Sequence, residues 1–350
     1  MNFLSKDKLK DKLFKIKRIL LIKDSVKPAE LFSQIIKVFS SGNKHFSEEK
    51  KSFGSKNPDD IFYVIRRTPP GAGLFSNFLL VLMHLYYAEQ YGYKPIVDYK
   101  NYSNFYKEKD LINNSSNSWE YYFNQPIKTP LQEVYKSSNV ILSSTNINKH
   151  LEKQFLIKDL NRSEFIGDKK QIQKFNELYK SMGLNQYTKT HSEKQLDVLF
   201  KDKKNVLGIV LRGTDYLNKD LSRGHQIPFE ISNSIEIVES YLVKWSVDNI
   251  YLSTEVSEYV EIYKKHFGDK LISLPRDRYL NKQNKKFINQ YIRKRKNDKY
   301  LTGLEYLTEI YGLARCSSII GTSCGSLNAA IIINNNKYLN KKIFDLGINI

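Results

Sequence analysis

A chain of 350 residues with a formal charge of +19 is long enough for two domains of ordinary size. Its 41% apolar content, with 24 tyrosines and 19 phenylalanines, excludes a disordered protein. No run approaches the roughly 20 continuous apolar residues of a bilayer span, and residues 19–22 are too short a core for a secretory signal, so a cytoplasmic protein is expected.

Residues 1–58 read as a basic, mostly helical lead-in. Lys6, Lys8, Lys10, Lys12, Lys15, Lys17, Arg18 and Lys23 alternate with apolar residues there, before a turn-rich stretch from Gly54 to Pro58. Such a segment suits peripheral contact with an anionic membrane surface, or simply a solvated helix face. Residues 61–65 predict a buried strand, followed by a loop containing Gly71 and Gly73. Helical spacing follows over 78–91, then a strand over 95–98, which completes one βαβ unit. Trp119, Tyr121, Tyr122 and Phe123 form an aromatic knot, read as packing in preference to a sugar-facing platform. His84, within the apolar helix, reads as a core residue.

Helical periodicity covers 171–199, and a domain boundary is placed near 195–204. Beyond it the alternation repeats: strand 206–211, helix 231–247, strand 249–253, helix 256–267 and strand 270–274. A second basic stretch follows, with Lys282, Lys285, Lys286, Arg293, Lys294, Arg295, Lys296 and Lys299, then helix 304–314, strand 317–321 and helix 327–333. The expected fold is therefore α/β, with two Rossmann-like, doubly wound domains at 59–200 and 201–350 facing a cleft. Cys316 and Cys324 cannot build a zinc site unaided and read as small packing residues of a reducing compartment. RNP-type aromatic motifs, zinc-finger spacing and heptads are missing, which argues against nucleic acid as the partner of all this charge.

The most informative stretch runs from Val206 to Tyr216, VLGIVLRGTDY. It is a buried strand ending abruptly in Arg212, Gly213, Thr214 and Asp215. Ligands of parallel sheets bind beyond the carboxyl ends of strands, and an arginine there offers a planar fork of donors to phosphate oxygens. A turn closed by a surface Arg–Asp pair is the plainer alternative. Thr322, Ser323, Cys324, Gly325 and Ser326 lie between a later strand and helix, where free amides and hydroxyls make an anion site. With Arg212 on another strand of the same sheet, they describe a diphosphate clamp.

VLGIVLRGTDY resembles the HxRRxDY-type peptide of the α-1,2/α-1,6/protein O-fucosyltransferase superfamily, especially a bacterial surface-polysaccharide branch with an RGTDY form. Gly73 to Asn77, GLFSN, is similar to its G-x-[FL]-G-N peptide. Ile250 to Glu255, IYLSTE, resembles its third peptide, and Leu307 to Ser326 its C-terminal one. The four occur in family order over residues 60–340. The resemblance implies a GT-B fold, with an acceptor domain before a donor domain, and inverting, metal-independent transfer from a GDP-sugar to a capsule or lipopolysaccharide acceptor. No cofactor is implied beyond that donor. By position, Arg212 clamps the donor phosphates, and Thr322, Ser323, Gly325 and Ser326 hold the diphosphate from the helix side. Glu309 matches a reader of the guanine edge, and Gly73 and Asn77 stand where the other domain meets donor or acceptor. Three residues depart from the pattern: Val210 replaces a histidine, Gly213 the second arginine, and Ser76 a glycine. They leave open a different nucleotide-sugar, or a non-catalytic binder of RNA or polyanions on the same fold.

An inverting transfer needs a base for the acceptor hydroxyl. Asp215 is the first candidate, with Glu255 and His225 beside it; a turn-stabilising hydrogen bond is the alternative role for His225.

Overall fold

The computed structural model describes residues 46–282, 287–288 and 291–350, with single positions at 16, 20, 28 and 32. The cations expected on the lead-in, and Lys285 and Lys286, lie outside the described residues. The chain divides into two compact units, one of residues 1–157, 180–185 and 295–302, the other of 158–179, 186–294 and 303–350. Residues 158–179 and 186–200, grouped with the first domain in the sequence reading, thus belong to the second unit.

The first unit contains a four-stranded sheet in the order β1-β4-β2-β3. Its strands are β1 (Glu49–Lys51), β2 (Phe62–Ile65), β3 (Lys94–Val97) and β4 (Val140–Leu142). β2 runs parallel to β3 and β4, while β1 lies antiparallel on β4. Part of the lead-in expected to be mostly helical, Glu49–Lys51, is therefore an edge strand. Its sequence, Glu-Lys-Lys, keeps a sheet edge charged, a common guard against further pairing. The helix after β2 is Leu74–Gln90, four residues longer at its start than the periodicity predicts. Leu74 and Phe75 are buried, so its first turn is held by packing although no side chain caps it. Gly92, at φ +66°, ends the turn before β3. His84 is wholly buried, with Nδ1 2.9 Å from the Tyr63 hydroxyl; burial lowers its pKa to about 3, which makes it a neutral core residue. Trp119, Tyr121, Tyr122 and Phe123 are buried as well, with Trp119 and Phe123 stacked at 4.4 Å, so the knot is packing and leaves no face for a sugar.

The second unit is built on a five-stranded, wholly parallel sheet in the order β7-β6-β5-β8-β9. These strands are β5 (Val206–Leu211), β6 (Asn249–Thr254), β7 (Leu271–Ile272), β8 (Ser318–Thr322) and β9 (Asn340–Phe344). The chain works outward from β5 through β6 to β7, then returns to β8 on the other side. The direction of winding therefore reverses between β5 and β8, where open α/β sheets form their ligand crevice. All six residues of β5 are buried, and each fully buried aliphatic side chain of this layer contributes about 1.5–3 kcal/mol. The single helix expected over 171–199 is two, Lys169–Met182 and Gln186–Leu199, broken at Gly183 with φ +65°.

Helix Asp298–Arg315 begins six residues before the predicted start and packs directly on the sheet. A side chain at Gly312 would strike the Tyr251 ring of β6, so only glycine permits this approach. Tyr251 in turn donates its hydroxyl proton to the Glu309 carbonyl at 3.0 Å. Cys316 and Cys324 are buried free thiols, Cys316 filling space against Gly208. Among the described residues, no helix is long and apolar enough to cross a membrane.

Candidate active site

Because β5 and β8 are direct neighbours, the residues leaving their carboxyl ends lie side by side, at the position where open α/β sheets form a ligand crevice. Arg212 is the first residue past β5, and its side chain is 12% exposed. Nη1 donates to the Tyr306 hydroxyl at 3.2 Å and Nη2 to Asp215 Oδ1 at 3.4 Å. The guanidinium lies 4.1 Å from the ring centroid of Tyr216, a cation–π contact that holds the fork in place. Nε is 3.4 Å from Glu255 Oε1, close enough for charge attraction, yet it forms no hydrogen bond. The guanidinium is thus fixed from several sides, by Tyr216, Tyr306, Asp215 and Glu255.

Two carboxylates shape this loop from behind. Glu255, just beyond β6, accepts from the Gly213 amide at 2.7 Å and from the Thr214 hydroxyl at 3.3 Å. Thr214 also donates to Asp215 Oδ1 at 3.1 Å. Thr214 has φ +44°, a left-handed conformation unfavourable for a β-branched residue, and these bonds hold it there. Burial raises the pKa of Asp215; Arg212 opposes the shift and Glu255 adds to it. Gly213 is set close against Val256: any Cβ there would lie 2.5 Å from Val256 Cγ2. Glu255 and Asp215 are thus committed to the Arg212 loop.

On the β8 side, Cys324 leaves the strand extended and helix Gly325–Ile333 begins without a side-chain cap. Its first-turn amides are left for another acceptor, at the positive end of the helix dipole. Thr322, Ser323 and Ser326 are all buried. Ser323 donates to Asn328 Oδ1 at 3.2 Å, while Asn328 Nδ2 holds the carbonyls of Leu160 and Arg162. Ser326 contacts Cys324 Sγ at 3.2 Å and lies close enough to Tyr306 to offset part of the rise that burial gives its pKa. Tyr306 therefore stands between Arg212 on one side and Ser326 on the other.

His225 comes to the same place. Its ring packs edge-on against Tyr216 at 5.2 Å, and its backbone is pinned by Ser222 and Asn349. The residue is solvent-exposed, but the groups crowding its ring lower its pKa by desolvation, and the cations of Arg212 and Arg162 lower it further. At neutral pH it is an uncharged imidazole at the edge of the cluster.

Glu309 is placed differently from the role the resemblance gives it. It is fully buried; Oε1 accepts from the Thr254 amide at 2.7 Å and Oε2 pairs with Arg276 Nε. Arg276 also donates to the Thr254 carbonyl at 3.0 Å, so the end of β6 is closed by an internal ion pair and neither carboxylate oxygen is free for a base.

In the first unit, Asn77 is buried and braces its own loop. Oδ1 accepts from Arg67 Nη1 at 3.0 Å and from the Ala72 amide at 3.3 Å, and Nδ2 donates to the Ala72 carbonyl at 3.1 Å. Arg67 also reaches the Ser76 carbonyl at 2.9 Å. Gly73 precedes the helix with open space around its Cα. The sequence reading missed Tyr306, Tyr216, Arg276 and Arg67 as site residues. Tyr216 closes the RGTDY peptide and was in view; Tyr306, one turn before Glu309, carries no signal of its own.

No family model and no curated protein matches the sequence. Among solved structures, the chain is similar to an α-1,6-fucosyltransferase NodZ soaked with GDP-fucose, at 13% identity and a TM-score of 0.46, over 78% of this chain and 92% of that one. Fucosyltransferase NodZ from Bradyrhizobium matches at 13% identity and 0.42, over 75% and 88%. POFUT1 in complex with GDP-fucose matches at 9% identity and 0.42, over 83% and 99%.

Proposed function

We propose that this chain is a glycosyltransferase that moves a sugar, fucose or a relative, from a GDP-sugar to a surface-glycan acceptor, with inversion and without a metal. The observation that carries the reading is the Arg212 guanidinium, fixed by Tyr216, Tyr306 and Asp215 at the β5/β8 switch point, next to the strand that leads into an uncapped helix N-terminus. A departing nucleoside diphosphate gains negative charge as the glycosidic bond breaks. A fixed guanidinium and oriented amides stabilise that charge without reorganising.

His225 is the proposed base. Asp215 and Glu255 are occupied by Arg212, Thr214 and Gly213, whereas the His225 ring is neutral, exposed and beside the clamp. It would take the acceptor proton as the hydroxyl attacks the anomeric carbon from the face opposite the diphosphate. The basic clusters fit a place at the inner face of the cell membrane, near anionic lipids and phosphate-bearing acceptors. A donor with another base is the second reading, favoured by the commitment of Glu309 to Thr254 and Arg276.

The test is a thermal-shift panel of GDP, UDP, ADP, CMP and CDP, with and without magnesium. A ligand at 100 Kd stabilises the fold by about 2.7 kcal/mol. A metal-independent shift with GDP supports the first reading, and a shift with another diphosphate the second. No shift with any nucleotide removes the transferase reading.

A further inference from the structure

The parallel strands of the first unit have two ends. The Gly71–Gly73 loop follows β2 at the carboxyl end. At the amino end a separate cleft of about 470 Å³ opens, lined by Lys50, Lys51, Ile61, Tyr93, Ser138 and Asn139. That volume is within the range of clefts that hold small ligands, about 300–1,000 Å³. The topology produces it: Ile61, Tyr93 and Asn139 stand just before β2, β3 and β4, and antiparallel β1 delivers its last residues to the same end.

The lining is chemically mixed. Lys50 is exposed and has no acidic partner among the described residues. Lys51 pairs with Glu49 at 2.9 Å, but both side chains are well exposed and such pairs are weak. Ser138 Oγ is buried with no hydrogen-bond partner. Asn139 is exposed, with Nδ2 donating to the Pro58 carbonyl at 2.7 Å. Ile61 is 42% exposed, an apolar wall beside these polar groups. Tyr93 is held by stacking with Tyr91 at 5.5 Å, so this wall is preformed.

We propose that this cleft is a docking subsite for an acidic saccharide. Ile61 and Tyr93 meet the apolar side of a pyranose, Asn139 bonds its hydroxyls, and Lys50 pairs with a carboxylate or phosphate on it. A surface carrying +19 overall draws such an anion in by long-range attraction. The subsite goes beyond the transfer reading and does not depend on it, because binding here needs no donor nucleotide.

Isothermal titration tests it on the full chain with three tetrasaccharides: one containing a hexuronate, one carrying phosphate, and a neutral counterpart. We expect the acidic sugars to bind, the neutral one to bind at least tenfold more weakly, and Lys50→Ala to weaken acidic binding about tenfold, as loss of a charged contact does. The stronger of the two acidic ligands identifies the anionic group. Ile61→Ala provides a second reading, with weaker binding of all sugars and an unchanged melting temperature, because this side chain is exposed on the cleft wall. Nucleotide binding should be the same in both variants, so its failure in the wild type would count against the transferase and not against this site. Absence of acidic-sugar binding in the wild type, equal affinity in Lys50→Ala, or equal binding of an acidic peptide overturns the proposal.

Discussion

The guanidinium of Arg212 rests 4.1 Å from the ring centroid of Tyr216, and the other side of this small assembly is His225, edge-on to the same ring. One aromatic side chain thus sets the spacing between the Arg212 cation and the His225 imidazole, the two groups to which the proposed transfer assigns the leaving group and the nucleophile.

Arg212→Lys is the sharper probe of the clamp. Removing the charge altogether, as in Arg212→Ala, leaves Glu255 and Asp215 buried without their cation and destabilises the unit by about 3 kcal/mol. Lysine keeps the charge and loses the fork. Turnover should fall by about 10²–10³ while the fold persists, in line with the loss of one preorganised donor. Wild-type turnover in the lysine variant, with unchanged diphosphate affinity, would contradict the clamp.

His225→Gln should lower turnover by about 10²–10⁴ and leave nucleotide affinity unchanged. In the wild type, the rate should rise with pH as the imidazole loses its proton. Desolvation, Arg212 and Arg162 all lower that pKa, so the limb falls below the ordinary value near 6.5. The glutamine variant should lack the limb. An unchanged acid limb in a rate–pH profile of His225→Gln would falsify the assignment.

Glu309→Gln separates two roles by stability. If the carboxylate serves Arg276 and Thr254, the change leaves a buried guanidinium without its counter-charge and costs about 3–5 kcal/mol in urea unfolding. The nucleotide preference should stay the same. A stable variant with altered preference among GDP, UDP and ADP would return Glu309 to base recognition.

Gly213→Ala should destabilise by about 1–3 kcal/mol, because the new methyl meets Val256 Cγ2 at 2.5 Å. Adding Val256→Ala removes the obstructing atom, so the double variant should lose less than the sum of the singles. Simple additivity in a denaturation cycle would show that the loop relaxes elsewhere.

The strands legible in the sequence were those with long apolar runs. β5 declares itself because burial on both faces demands near-continuous hydrophobicity, and β8 by its Ile-Ile pair ahead of a Gly/Ser-rich loop. β4 is only Val-Ile-Leu, too short to separate from a loop, and β1 and β9 carry lysines because they lie at sheet edges. Arg212 and the loop after β8 were readable because strand ends in a parallel sheet have a defined chemical role. The partners that fix them were not. Arg276 lies in a segment without a motif, and Tyr306 acquires meaning only when its helix is laid across β5 and β6. Asn77 was visible as part of a peptide, but its bonds to Ala72 and Arg67 depend on how the loop folds back.

Helix Asp298–Arg315 carries Tyr306 and Glu309 one turn apart. Through the first it touches Arg212 and Ser326; through the second it anchors Thr254. With Gly312 seated against Tyr251, it has almost no room to slide. The helix is thus a crossbar bolted to three strand ends, and whatever occupies the crevice must accept its shape as delivered. Selectivity in such a mouth comes from a template cut in advance, so changes of preference should arise by altering the bolts sooner than by loosening the bar.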